Sequence, residues 1–378
     1  MSAKRRVVVT GGGIVSSLGS DLETVFAKLS TFRNCIKRMD EWDIYPQMNT
    51  KLAAPVDFTM PDFPRKKIRG MGRVARLALV AVDNALKCAG LSESDEFKGG
   101  RFGIAYGSSM SSVDAILEIY AMMVNNDASK IDATTYIRAM PHTCIANLEV
   151  FYGLTGRLIP CNTACTSGSM SIGYAYEAIK NGVQDIMIAG GADELSAVDG
   201  VIFDTLFAAS SKNDRPDLTP AAYDKNRDGL FVGEGAGALI LEEYEHAKTR
   251  GAKIYAELIG FGTNTDGAHV TQGNSATQAR ALQIALEDAD ISADLIGYVN
   301  THGTATTTGD IAESHAIRDV FKRAVPISTI KNYTGHTLGA CGAIEAWVSI
   351  EMMNRGWFIP NINLVDIDPE CAPLDYIT

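Results

Sequence analysis

Three absences narrow the class of this 378-residue chain. No run of about 18 apolar residues occurs, so no segment reads as a membrane span. No CxxC pair occurs among the seven cysteines (35, 88, 144, 161, 165, 341 and 371). They are odd in number and scattered, which indicates neither a disulfide framework nor a zinc site, and no metal is expected. Basic excess is missing too: 34 Lys and Arg against 45 Asp and Glu leave a net charge of −11, which argues against a nucleic-acid partner. The start, Met1 to Arg6, leads into an apolar stretch that Gly11-Gly12-Gly13 breaks at once. That is too short for a secretory signal, and a cytoplasmic address is expected.

What is present is a chain with 46% hydrophobic residues, enough for a large core in one big domain or two fused halves. Strands and helices alternate, which predicts layered α/β structure with largely parallel sheets. The first series has strands at 6–10, 102–107, 186–189 and 234–242, with helices at 74–88 and from Ser112. The second begins with a strand at 254–261, then a helix at 275–289 and a strand at 297–300. A helix at 310–321, a strand at 325–329 and a helix at 337–354 complete it. The two series read as related halves, residues 1–251 and 252–378. The last residues, Cys371 to Thr378, begin a hydrophobic element with no capping sequence after it, so the second half reads as unfinished.

Chemistry concentrates in three strand-to-helix junctions. Asn162-Thr163-Ala164-Cys165-Thr166-Ser167-Gly168 follows a short strand, expected to be buried, at 156–160 and opens a helix stopped by Asn181-Gly182. Cys165 there faces unpaired N–H groups and a positive helix end, which favour a thiolate. Val299 to Thr306 is a strand running into small hydroxyl residues around His302. Ser328 to Ala340 carries Lys331 and His336 into a helix. Ligands in open α/β sheets sit beyond the carboxyl ends of strands, so the three junctions can share one pocket. One nucleophile with two imidazoles exceeds what a hydrolase triad uses, and suits acyl transfer followed by enolate stabilisation. Gly11-Gly12-Gly13 lacks the third glycine of a dinucleotide fingerprint, since Ser16 stands there, and no nicotinamide site is expected.

Asn162 to Ser167, Asn300 to Asp310, Lys331 to Glu345, Arg227-Asp228-Gly229 and Gly233 to Gly237 together resemble the β-ketoacyl-acyl carrier protein synthases of the thiolase superfamily. The resemblance runs from residue 7 to the end. It implies an α-β-α-β-α fold of two related halves, the second incomplete here. It implies decarboxylative condensation: Cys165 takes an acyl chain, and His302 and His336 hold the malonyl thioester carbonyl as carbon dioxide leaves. Lys331 supports the electrostatics, Glu345 anchors it structurally, and Thr304 and Thr306 contact the phosphopantetheine arm. That arm arrives on acyl carrier protein, and no cofactor of the chain's own is implied. A homodimer is implied, with a heterodimer with a related subunit as the other arrangement.

Several positions depart from the family pattern. Leu230 stands where a gating phenylalanine is usual, Thr307 where proline is usual, and Met110 at a position that limits acyl-pocket depth. A pocket for short or unusual chains follows from the bulk of Met110. The resemblance also implies a Gly-Phe-Gly-Gly-type loop, supplying one oxyanion-hole donor, which does not occur before Thr378. A non-catalytic carrier-binding subunit or inactive fragment is therefore a second reading. A degradative thiolase, with Cys341 as its second cysteine, is a third. Arg65, Lys66, Lys67 and Arg69, close to Arg73 and Arg76, form the densest basic run, read as a docking patch for an acidic carrier protein. His142, His246, His269 and His315 show no metal spacing and read as surface or packing residues, His269 near the substrate entrance. Asp310 and Glu313 read as an acidic pair opening a helix.

Overall fold

The computed structural model describes residues 5–268 and 273–378. His269 and the first four residues lie outside them. Twelve strands occur among the described residues: β1 (Val7–Ser16), β2 (Lys37–Arg38), β3 (Leu52–Ala54), β4 (Phe102–Gly107), β5 (Leu158–Pro160), β6 (Ile186–Asp193), β7 (Val232–Gly233), β8 (Gly235–Glu243), β9 (Ala256–Leu258), β10 (Val299–Asn300), β11 (Pro326–Ser328) and β12 (Asp375–Tyr376). The main sheet runs β5-β4-β6-β8-β1-β9, a second runs β10-β11-β12, and a small third runs β2-β3-β7.

The expectation of largely parallel sheets needs correcting for the main sheet. β4 pairs parallel with β5 and β6, but β8 runs antiparallel to both β6 and β1, and β1 antiparallel to β9. The second sheet is parallel throughout. β5 also departs from expectation. It closes one edge of the main sheet with Leu158 and Pro160 exposed, so its apolar residues mark an edge, not a core strand.

β1 shows how the layers stack. Its strand continues through the three glycines that looked like a turn. A Cβ on Gly13 would come within 2.0 Å of the Ala81 carbonyl oxygen, and one on Gly12 within 2.1 Å of the Trp347 ring. Successive residues point to opposite faces. The glycines therefore let the helix Arg73–Ala89 approach one face of β1 and the helix Cys341–Arg355 the other. One apolar cluster joins Arg73–Ala89 and Thr143–Tyr152 to the outer face of the main sheet. A second, centred on Trp347, lies on the inner face with the helices Ser167–Lys180 and Cys341–Arg355. A third packs the helices Ser275–Ala289 and Thr307–Phe321 on the second sheet. This is the layered two-sheet arrangement that the resemblance implies. Among the described residues no helix is long and apolar enough to cross a membrane.

Candidate active site

Two helix starts meet in the middle layer. Ser167–Lys180 follows a short turn, Ala164–Thr166, that contains Cys165. Cys341–Arg355 follows a similar turn, Leu338–Ala340, two residues after His336. They meet because Gly168 lacks a side chain: a Cβ there would stand 2.8 Å from the Ala343 nitrogen and 3.0 Å from the Gly339 oxygen. The turn at Cys165 is braced locally. Ser167 Oγ donates to the Ala164 carbonyl at 2.7 Å and accepts from the Thr163 N–H at 3.0 Å.

The second imidazole comes from the loop after β10. The His302 and His336 ring centroids lie 5.1 Å apart, nearly perpendicular. His336 is buried, and the Leu338 N–H donates to its Nδ1 at 2.9 Å. The ring proton is thereby left on Nε2, available as a donor. The His302 loop hangs on two carboxylates. Glu313 accepts from the N–H groups of His302 (2.6 Å) and Gly303 (2.8 Å), and Asp310 from those of Thr304 (3.1 Å) and Ala305 (3.2 Å). Asp310 is fully buried beside Arg227, which also donates to the Thr307 carbonyl at 2.8 Å and to Asp368 at 2.6 Å. Asp310 and Glu313 thus shape the site loop; the helix begins earlier than expected, at Thr307, so only Asp310 lies in its first turn. Thr304 and Thr306 share a hydroxyl–hydroxyl hydrogen bond of 2.9 Å at its rim.

Lys331 begins a single turn after β11, is 2% exposed, and forms an ion pair with Glu345 on Cys341–Arg355. Burial opposes its charge, but Glu345 and its other neighbours outweigh burial and raise its pKa. That cation sets the electrostatics of the pocket. Burial, then the Lys331 charge, lowers the His336 pKa to about 3, so that ring is neutral. Burial, then Lys331 and His336, pull His302 the same way, but that residue stands exposed to solvent, which screens the pull. The expected thiolate at Cys165 needs correcting. Burial pushes the thiol pKa up, Lys331 pulls it down, and Asp193 and Glu345 push it up again. The net is upward, because even the partial burial of Cys165 outweighs the pull of Lys331 and the helix end.

The other expected residues fall in different places. Met110 lies on the turn after β4, and Asn162 ties that turn to the Cys165 segment by donating to the Ser108 carbonyl at 2.9 Å. Leu230 is buried with Trp42, Val232 and Leu338, so it backs the His336 turn. Cys341 is a buried thiol 3.5 Å from His336 Nδ1, its pKa driven well up by burial. That suits packing better than a second nucleophile. Arg65, Lys66, Lys67 and Arg69 are exposed around the short helix Arg65–Ile68, with Lys67 donating to the Phe151 carbonyl at 2.9 Å. Arg73 differs from them: it pairs with buried Glu234 at 2.6 Å and is structural. His246 bridges Glu242 and Glu96, and His315 lies 3.0 Å from the Glu370 carbonyl oxygen. Two surface hollows of about 380 and 360 Å³ line Lys67 and β5 respectively, away from Cys165. Asp193 and Glu194, at the end of β6, went unremarked in the sequence. Their one signal was an acid pair directly after the apolar, Gly-Gly-ended strand.

Comparison with known proteins identifies the family. Residues 4–247 match the beta-ketoacyl synthase N-terminal domain family, and residues 255–365 the C-terminal domain family. The chain is 36% identical over 373 residues to the 3-oxoacyl-[acyl-carrier-protein] synthase 2 of Vibrio harveyi, covering 96% of this chain and 89% of that protein. The structure of a beta-ketoacyl synthase from Burkholderia phymatum STM815 superposes with a TM-score of 0.97 at 52% identity, covering 99% of this chain and 92% of that one. A type II PKS ketosynthase, solved with its acyl-carrier protein and bound to the hexaketide, superposes with a TM-score of 0.87 at 29% identity. That match covers 99% of this chain and 92% of the solved one.

Proposed function

The chain belongs to the beta-ketoacyl synthase family, and from that premise we infer that it is an acyltransferase catalysing decarboxylative condensation on acyl carrier protein. The observation that carries the reading is the pair of imidazoles, centroids 5.1 Å apart, in a site where the buried Lys331–Glu345 pair acts electrostatically on Cys165. The Cys165 sulfur attacks the acyl thioester, its proton going to the departing phosphopantetheine thiol. The malonyl thioester then enters, and its carbonyl oxygen meets N–H donors from His302 and His336. Its carboxylate–carbon bond breaks, and the electron pair passes into an enolate that the two donors stabilise. Carbon–carbon bond formation to the acyl-cysteine carbonyl expels the Cys165 sulfur as a thiolate, which takes one proton from solvent to restore the resting thiol. The rings stabilise the enolate oxygen by hydrogen bonding and keep their protons throughout. Thr304 and Thr306 line the approach of the phosphopantetheine arm, and burial together with the Lys331 charge keeps His336 neutral.

Arg65, Lys66, Lys67 and Arg69 form the docking patch for carrier protein in this reading. The exposed edge of β5 is where a second copy, or a related subunit, adds to the sheet. Both fatty-acid and polyketide-type elongation fit the relatives. Cys165→Ala is the test. Carbon dioxide release from malonyl-carrier protein should survive while condensation disappears. Loss of both, or retention of condensation, would sink the assignment.

A further inference from the structure

Asp193 ends β6 and is 1% exposed. Its carboxylate gathers main-chain N–H groups from two separate site turns. Ser109 donates to Oδ2 at 2.8 Å and Met110 to Oδ1 at 3.2 Å, both from the turn after β4. Gly339, three residues after His336, donates to Oδ2 at 2.6 Å. Neighbouring Glu194 faces the other side of the strand. It accepts from the N–H groups of Val113 and Val74, each at 2.8 Å, and from the Ser112 hydroxyl at 3.3 Å. The stretch Ser109 to Val113 is thus gripped at both ends, and only the Asp193 grip extends to the imidazole turn. Main-chain N–H groups offer protons and accept none, so they suit the ionised carboxylate. Burial opposes this and pushes the Asp193 pKa up to about 7, with the three donors pulling it back.

We propose that Asp193 is a positioning residue for the condensation, locking the Met110 turn and the His336 turn in mutual register. The acyl chain on Cys165 and the enolate held by His336 then meet across a constant gap, which is the geometric requirement of a bimolecular bond-forming step. The proposal rests on the condensing-enzyme reading above. It has a second consequence: the Asp193 charge acts on Cys165 together with those of Lys331 and Glu345, and opposes ionisation of the thiol.

Asp193→Asn keeps the shape, and its amide oxygen can still serve Ser109 and Gly339. Its amide nitrogen, however, faces the Met110 N–H and cannot accept from it. The expected result is a condensation kcat lower by ~10²-fold, the scale of a misplaced reacting group, with the carrier-protein KM unchanged. The pH midpoint for iodoacetamide alkylation of Cys165 should move down. Gly339→Ala opens the same clamp with the charge retained, because its Cβ would stand 2.8 Å from Asp193 Oδ2 and 2.9 Å from the Ser109 nitrogen. It should lower kcat without moving the alkylation midpoint, and it carries the test if Asp193→Asn does not fold. An unchanged kcat in either variant overturns the proposal, as does a lower kcat in Asp193→Asn with the alkylation midpoint in place. If the unaltered protein does not condense, the functional reading has failed, and the alkylation midpoint still decides on Asp193.

Discussion

At Cys165 burial and charge pull in opposite directions, and burial prevails. The resting sulfur is more fully protonated than its position before a helix suggests, so its proton must leave as the thioester arrives. The same burial keeps His336 neutral, with a pKa of about 3 in the fold. His336 should therefore add no acid limb to malonyl decarboxylation near the ordinary imidazole value of about 6.5. A limb near 7 would belong to Asp193 or Asp310, whose carboxyls burial pushes up to about 7. A limb near about 6.5 that persists in Asp193→Asn and in Asp310→Asn would contradict the neutral-donor role of His336. Stability carries the matching sign. The unfolded chain binds the proton first, so the His336 contribution is present above about pH 6.5 and is lost as pH falls towards the folded value. Met110 sets a second residue-scale expectation. Met110→Gly should lengthen the acyl chain accepted, read from product lengths with mixed acyl-carrier proteins; an unchanged profile would remove it from the pocket wall.

Among the elements, the helices Ser167–Lys180 and Cys341–Arg355 decide whether the site exists. Their starting turns carry Cys165 and follow His336, and they touch through Gly168. Gly168→Ala puts a methyl group 2.8 Å from the Ala343 nitrogen, against main chain that cannot swing aside. It should cost about 1–3 kcal/mol in urea unfolding, the usual toll of overpacking. Condensation should fall more than the stability loss explains. Wild-type activity in a folded Gly168→Ala protein would show that the helix spacing is not critical. The strand β1 makes the same point from the other side of the layer, since Gly11, Gly12 and Gly13 serve close packing on Ala85, Trp347 and Ala81 respectively.

For the whole molecule, the proposed partners fall on two exposed surfaces. β5 closes the main sheet with no strand beyond it among the described residues, and Val150, Leu117, Tyr120, Met123 and Tyr136 are exposed apolar residues. Light scattering should return twice the chain mass, or a mixed pair with a related subunit; a stable monomer would contradict it. Reversing the charge of Lys66 and Arg69 together should raise the carrier-protein KM and flatten its salt dependence, because steering by surface charge is screened by salt. No change in either would place docking elsewhere. Much of this was already legible along the chain. Cys165, His302, Lys331 and His336 each stand at a strand end in a run of small residues, and the helix 275–289 was read with the bounds the structure shows. Such local signals survive because caps, glycine stops and apolar spacing act over a few residues. The antiparallel course of β8, the exposed edge at β5 and the packing role of Gly11 to Gly13 depend on partners far along the chain. So do the upward shift of the Cys165 thiol and the joining of two turns by Asp193. The sequence by itself determined which groups could do the chemistry. Only the tertiary structure decided their ionisation and spacing, because desolvation and convergence arise when distant segments close on one another.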